Sequence, residues 1–339
     1  MKSSPAASSG GRVTRATVAR HAGVSTAVVS YVLNDGPRPV ADSTRERVLR
    51  SIEVLGYRPD AVARALKTRR TQTIGLLVPD NSNPYFAELA KAIEDAAYER
   101  GYALLLGNSD NDRRREKLQL AALRDRQVDG LLVIGTSTEA DLSDPRAGHT
   151  RVVLLDRAAG ALPYPSVVVD NRRGAHEGVQ HLIGHGHRRV LCVAGPSDVP
   201  ASVDREDGWR SAMAEAGLIT DRLVVRTGFS RWEGYAAARS VLARTRRPTA
   251  IFACSDLQGI GALRACEELG LNVPGDVAVL AFDGTQESEF TSPPLTVIQQ
   301  DIQTIAETGV SVLLSADPPG QPAHVIAPCR LVIRRSCGC

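Results

Sequence analysis

No stretch of the sequence approaches the roughly 18 uninterrupted apolar residues that a membrane span needs. The opening "MKSSPAASSGGR" lacks the apolar centre of a secretory signal and reads as a short disordered tail over residues 1–12. Without span or signal, the expected location is the cytoplasm. Cysteine is sparse and irregular: the six (192, 254, 266, 329, 337, 339) follow no framework spacing, and Cys192 and Cys254 fall inside apolar, strand-like runs, which suits reduced buried thiols. "CGC" at 337–339 would need further ligands to close a zinc site, and nothing adjacent supplies spaced Cys or His. In "HLIGHGHRR", His181 and His185 are four apart with His187 near, but Gly184 and Gly186 interrupt the helix that would hold them, so a helix end turning into a strand is expected and no metal. "GIGALRA" is too short for a phosphate loop and lacks its Lys and Ser or Thr. Asp156, Asp256 and Asp283 have no accompanying nucleophile and base, which argues against an enzyme and for hydrogen-bond acceptors. No cofactor is expected.

What is present is a chain of 339 residues, 43% hydrophobic, long enough for two or three domains with sizeable cores. Its formal net charge of +3 hides a division. Residues 1–70 hold 13 Lys or Arg against 5 Asp or Glu, net +8, while the remainder holds 28 against 33, net −5. A basic first fifth carried by a mildly acidic body suits a small nucleic-acid-binding unit joined to a larger domain that phosphate would repel.

That first fifth reads as helices. "TRATVARHA" forms a short one, with Thr14 as N-cap, Val18, Ala19 and Ala22 inward and Gly23 as the stop. Ser25 caps a second, "TAVVSYVLN", whose Val28, Val29, Val32 and Leu33 have core-facing spacing. "DSTRERVLRSIEVLGY" begins at a Ser/Thr cap with Glu46 close behind, and turns Val48, Leu49, Ile52 and Leu55 inward. Two short helices about three residues apart are a helix-turn-helix, unless they are only a structural hairpin. Positive charge and small residues at the front of the second helix favour DNA, because a reading helix must bring its N-terminal face close to base edges. Thr26, Ala27 and Tyr31 are the exposed candidates there, and Ser25, with the amides at the helix start, suits a phosphate. The next stretch, "DAVARALKTRR", is rich in helix formers but only about two turns long, too short to be stable alone.

"VARHAGVSTAVVSYVLN" followed by "TRERVLRSIEVLGYRPDAVARALKTRRTQTIGLLVP" resembles the headpiece, hinge and first core strand of the lactose/galactose repressor (LacI/GalR) family of bacterial transcription regulators, with purine-responsive members particularly similar. The resemblance runs from about Val13 to the end of the sequence. It implies a homodimer on a pseudo-palindromic double-stranded operator, with the second helix of each headpiece in the major groove. It implies too that the hinge, residues 60–70, folds into a helix on DNA and that Leu66 wedges into the minor groove. An exposed leucine among basic residues fits such an insertion. The resemblance extends the DNA-facing set to Thr14, Arg15, Ser30 and Asn34 in the headpiece (13–59) and to Arg64, Ala65 and Lys67 beside Leu66. Ala27 and Tyr31 occupy positions where relatives vary, so the operator sequence is not readable.

From Thr73 the pattern changes to nearly continuous apolar strands alternating with amphipathic helices, the signature of parallel α/β sheets, and it restarts after "SVVVDN". Two doubly wound α/β lobes with a crevice between them follow, and ligands bind beyond the carboxyl ends of such strands. The resemblance makes this the periplasmic-binding-protein-like type I core, with residues 71–170 and 300–326 in one lobe and 171–299 and 327–339 in the other. The chain would cross near Asp170, near Gln299 and before Leu331. The effector-binding residues it implies are Tyr85, Phe86, Asp156, Arg157, Arg205, Phe229, Asp256 and Asp283. Such a set suits a polyhydroxylated ligand and would also serve a nucleobase. "VPAS" stands where purine-binding members carry polar contacts, so a sugar or sugar derivative is preferred over a purine. The expectation is an effector-controlled repressor. Its rival is a solute-binding protein or sugar-handling enzyme with an incidental basic helical extension.

Overall fold

The computed structural model describes residues 13–34, 38–58, 65, 70–135, 142, 150–156, 164–315 and 323–339. The chain forms two compact units, Met1–Thr71 and Gln72–Cys339.

In the first unit, α1 (Arg15–Ala22) opens with a capping box. The Thr14 hydroxyl accepts from Thr17 N–H, and the Thr17 side chain answers the Thr14 backbone. Gly23 ends the helix at φ +65°, a conformation that costs a residue with a Cβ, and sends its N–H back to Arg20 O. The Ser25 hydroxyl then accepts from Val28 N–H at 3.4 Å at the start of α2 (Thr26–Asn34). Val18, Ala19, Ala22, Val29, Val32, Val48 and Tyr57 make a common core with α3 (Asp42–Leu55). Two sequence expectations fail at α3. Its N-cap is Ala41, without a side-chain bond, because the helix starts at Asp42, ahead of Ser43 and Thr44. Leu49 is 48% exposed, because Val48 and Ile52 already fill the face turned to α1 and α2.

The second unit holds two sheets. The first lobe contains β1 (Thr73–Val78), α4 (Pro84–Glu99), β2 (Ala103–Asn108), α5 (Arg113–Asp125), β3 (Gly130–Val133), β4 (Arg151–Leu155) and β5 (Ser166–Val169). The second contains α6 (Asn171–Gly184), β6 (Val190–Ala194), α7 (Pro200–Glu215), β7 (Val224–Arg226), α8 (Arg231–Leu242), β8 (Ala250–Ala253), α9 (Asp256–Glu268), β9 (Ala278–Asp283) and β10 (Thr296–Gln300). The chain then returns through α10 (Ile302–Leu314) and β11 (His324–Ala327) to the first lobe and ends with β12 (Cys329–Val332) in the second. The strand orders are β11-β5-β4-β3-β1-β2 and β12-β10-β9-β8-β6-β7, parallel throughout except that β12 runs antiparallel to β10. Each sheet is covered on both faces, as parallel strands require. Trp209, Phe252 and Phe282 are the bulkiest fully buried side chains of the second lobe, each worth about 1.5–3 kcal/mol of burial. The Trp209 indole also finds Val190 O at 3.2 Å.

The chain passes between lobes at Asp170, Asp301 and Pro328, and two of these points are built alike. Asp170 caps α6 through Arg173 N–H, and Asp301 caps α10 through Thr304 N–H, both at ψ 81°. Asp301 N–H donates to Pro328 O, which ties the second crossing to the third.

Candidate functional site

β4 and β9 stand third in their sheets, and each ends in an aspartate on the inner side of the crevice. Asp156, directly after β4, has φ +60°, and Asp283, the last residue of β9, has φ +124°. Residues with a Cβ avoid such φ values, and strain of this kind collects at ligand sites. A hydrogen-bonded chain runs between the two carboxylates. The Tyr85 hydroxyl, from the first turn of α4, lies 3.1 Å from Asp156 Oδ1 and 3.0 Å from Gln300 Oε1. Gln300 Nε2 donates to Asp283 Oδ1 at 2.9 Å, and Arg205 Nη1 donates to the same oxygen at 3.1 Å. Arg205, on α7, is held from the other side by Asn171 Oδ1 and Cys254 O, with its guanidinium 3.8 Å from the centre of the Phe282 ring. The chain therefore joins side chains of both lobes.

Burial and charge set the protonation of these groups. Burial raises Asp283 to about 6, against the pull of Arg205 and with the help of Asp156. Asp256, deeper still, is raised by burial and then by Asp283 to about 7. Burial pulls against the Arg205 charge, but Asp283 and Asp156 outweigh it and hold its pKa above the ordinary value. Burial, then the Asp156 charge, pushes the Tyr85 phenol well above its usual range, so it remains a donor.

The space enclosed by Tyr85, Phe86, Asp156, Arg205, Phe229 and Asp283 is only about 30 Å³. Outside it lies a cavity of about 340 Å³ that shares Asn83, Phe86, Val199 and Phe229, so these four form a constriction. Asp80, Asp198 and Glu233 border the outer chamber and give it an acidic rim.

Tyr85, Phe86, Asp156, Arg205, Phe229 and Asp283 thus come together. Tyr85 and Phe86 meet edge to face, with ring centres 5.2 Å apart. Asp256 does not border the space: its Oδ2 accepts from Thr285 N–H and the Thr285 hydroxyl at 2.6 and 2.7 Å, behind Asp283. Arg157 lies outside the described residues. Sequence reasoning missed Asn83, Ser255 and Gln300. Asn83 and Ser255 are polar residues just before helices α4 and α9, and their cap positions were the available signal.

In the headpiece, Thr14, Arg15, Ser25, Thr26 and Ala27 are exposed, and Ser30 is half-buried. Tyr31 is half-buried rather than exposed, since it stands between the core residues Val29 and Val32 on a helix whose inner face is broad. Asn34 ends α2. Ala65 is helical, while Arg64, Leu66 and Lys67 lie outside the described residues. One juxtaposition was unexpected. α6 continues through Gly184 and places His181 and His185 together, with Cys339 between them, away from the crevice.

Residues 16–60 match the family model for bacterial regulatory proteins of the lacI family, and residues 179–337 match that for a periplasmic binding protein-like domain. The HTH-type transcriptional repressor PurR of Erwinia tasmaniensis is 36% identical over 301 residues, 88% of each chain. That of Yersinia enterocolitica is 36% identical over 329 residues, covering 94% of this chain and 95% of the other. Among solved structures, a transcriptional regulator CelR–cellobiose complex is 32% identical, with a TM-score of 0.71 over 96% of this chain and 100% of that one. The lac repressor dimer bound to operator and the anti-inducer ONPF is 26% identical, with a TM-score of 0.87 over 96% and 99%. On this combination of headpiece, two-lobed core and full-length similarity, the chain belongs to the LacI family and is a sequence-specific DNA-binding transcriptional regulator rather than an enzyme.

Proposed function

We propose that this regulator is a homodimeric repressor whose operator affinity is set by a neutral, polyhydroxylated effector, a sugar or sugar derivative, clamped between its lobes. One lobe would comprise residues 71–170 and 301–327 and the other 171–300 and 328–339, one residue later at the second and third crossings than the sequence places them, because Gln300 closes β10 and Ala327 closes β11. The paired aspartates at positive φ carry the reading, since two matching strand ends hold strained acceptors toward one space. Acceptors, one buried guanidinium and two aromatic faces suit hydroxyl groups and a sugar ring. The acidic outer rim disfavours phosphorylated ligands. The CelR relative is described with cellobiose, which adds weight to a saccharide. A nucleobase is the second reading, because Phe86 and Phe229 on the same constriction could flank a planar ring.

On DNA, Thr26, Ala27, Ser30, Tyr31 and Asn34 of α2 would enter the major groove, with Thr14, Arg15 and Ser25 on phosphates. Leu66 would wedge at the operator centre, with Ala65 against the groove and Arg64 and Lys67 on the backbone. A ligand that favours one lobe arrangement would shift the equilibrium between operator-competent and incompetent dimers.

Thermal-shift screening of neutral mono- and disaccharides, sugar phosphates, nucleobases and nucleosides tests the effector, followed by gel shifts with the best ligand. A neutral saccharide should stabilise the protein and change operator affinity. Stabilisation by nucleobases or sugar phosphates alone would overturn the saccharide reading. Selection of binding sites from random duplexes should return a pseudo-palindrome. Leu66→Ala should weaken binding to it far more than binding to random DNA, and equal losses would remove the wedge.

A further inference from the structure

We propose that His181, His185 and Cys339 form a binding site for a borderline-soft divalent cation, with zinc as the fitting ion. The two histidines are contributed by one helix end: His181 lies in the last turn of α6, and His185 caps it. Four residues apart on a helix, they share a face, and their rings stand 4.7 Å apart centre to centre. The thiols arrive from residues more than 150 positions later. Cys337 closes a short 3-10 turn, Arg335–Cys337, that follows β12. Gly338 then takes φ +96°, which a residue with a Cβ resists, and this bend turns Cys339 back over the helix end.

The donor atoms converge. Cys339 Sγ lies 3.1 Å from His185 Nε2 and 3.5 Å from His181 Nε2, and the three fall within 4.8 Å of one another. Cys337 Sγ, buried and 3.3 Å from Cys339 Sγ, also lies 3.4 Å from Arg334 O and stands outside the three-donor group, so it supports Cys339 from the protein side. Zn–N bonds of about 2.05 Å and Zn–S bonds of about 2.3 Å at tetrahedral angles place nitrogen and sulfur roughly 3.5 Å apart. The structure therefore holds three donors, two imidazoles and one thiol, at nearly the separation an ion would impose.

Burial and the neighbouring Cys337 raise the Cys339 thiol above its ordinary value, so the ion must displace its proton. Burial, then the neighbouring His185, lowers the pKa of His181, which keeps it a neutral donor. Ion binding would release the thiol proton. His187 stands apart, with Nδ1 on Thr249 at 3.0 Å. A bound ion would fasten the segment after β12 to α6, the helix that begins at the Asp170 crossing.

The test uses the full-length protein, reduced, stripped by chelator and titrated anaerobically with Co(II). The expected result is one equivalent per chain, with a thiolate-to-cobalt charge-transfer band and tetrahedral visible bands, both displaced by Zn(II). Cys339→Ser and His185→Ala should each weaken binding at least about tenfold. His187→Ala should leave it unchanged, and retained operator binding in all three variants shows that the fold is intact. Absent thiolate bands, or bands undiminished in Cys339→Ser, would overturn the site.

Discussion

The two lobes share one strand order and the same strained aspartate at the end of the third strand, yet they equip it differently. In the second lobe Asp283 faces the buried Arg205 and accepts from Gln300, with Asp256 at the start of α9 behind it. In the first lobe Asp156 receives the Tyr85 hydroxyl, beside Phe86. One scaffold thus carries two kinds of half-site, a charged one and an aromatic one. The charged half is locked to its own sheet by Cys254 O and Phe282, whereas Tyr85 belongs to a helix start and reaches across.

The largest test of this asymmetry is Arg205→Ala. It strands buried carboxyls and removes the stack on Phe282, so denaturant unfolding should show a loss of about 3–5 kcal/mol. A loss no greater than that of Tyr85→Phe would make the halves equivalent. Next comes effector affinity in the two asparagine variants. Asp283→Asn should cost about tenfold or more, because its acceptor is oriented by a guanidinium and an amide, and Asp156→Asn should cost less. Equal losses would break the comparison.

The third test is pH. Asp283 and Asp256 bind protons more tightly folded, at about 6 and about 7, than at the unfolded value of 3.8. Their contribution to stability is therefore full below 3.8 and is lost as pH rises through about 6 and 7. Asp256→Asn should flatten that fall, measured by unfolding at each pH, whereas Asp156→Asn should not remove the Asp256 part of the slope. The smallest effect belongs to Tyr85→Phe, about 1 kcal/mol for the lost hydroxyl bonds. A larger loss would mean that the aromatic half is as firmly fixed as the charged one.

Much of this was legible in residue order. Parallel strands buried on both faces announce themselves as apolar runs, and "TIGLLVP" became β1 on that ground. Tyr85, Asp156, Arg205 and Asp283 followed from family resemblance at strand and helix ends. Asp256 misled because at a helix start a shift of one residue rotates a side chain by about 100°, and here Ser255 faces the space while Asp256 turns to Thr285. Gln300 gave little signal, being one of two glutamines closing β10. The thiol–imidazole cluster was illegible, because two crossings between lobes, at Asp301 and Pro328, separate its histidines from Cys339 along the chain.

The inner space of about 30 Å³ has a kinetic consequence. Ligand pockets begin at roughly 300 Å³, about ten times larger, and Tyr85, Asp156 and Asp283 of the hydrogen-bonded chain border it. An effector of the proposed kind would enter only once that chain parts. The encounter rate would then stop rising with effector concentration once parting becomes the slow step, and the regulator would answer a sudden excess of its signal at its own pace.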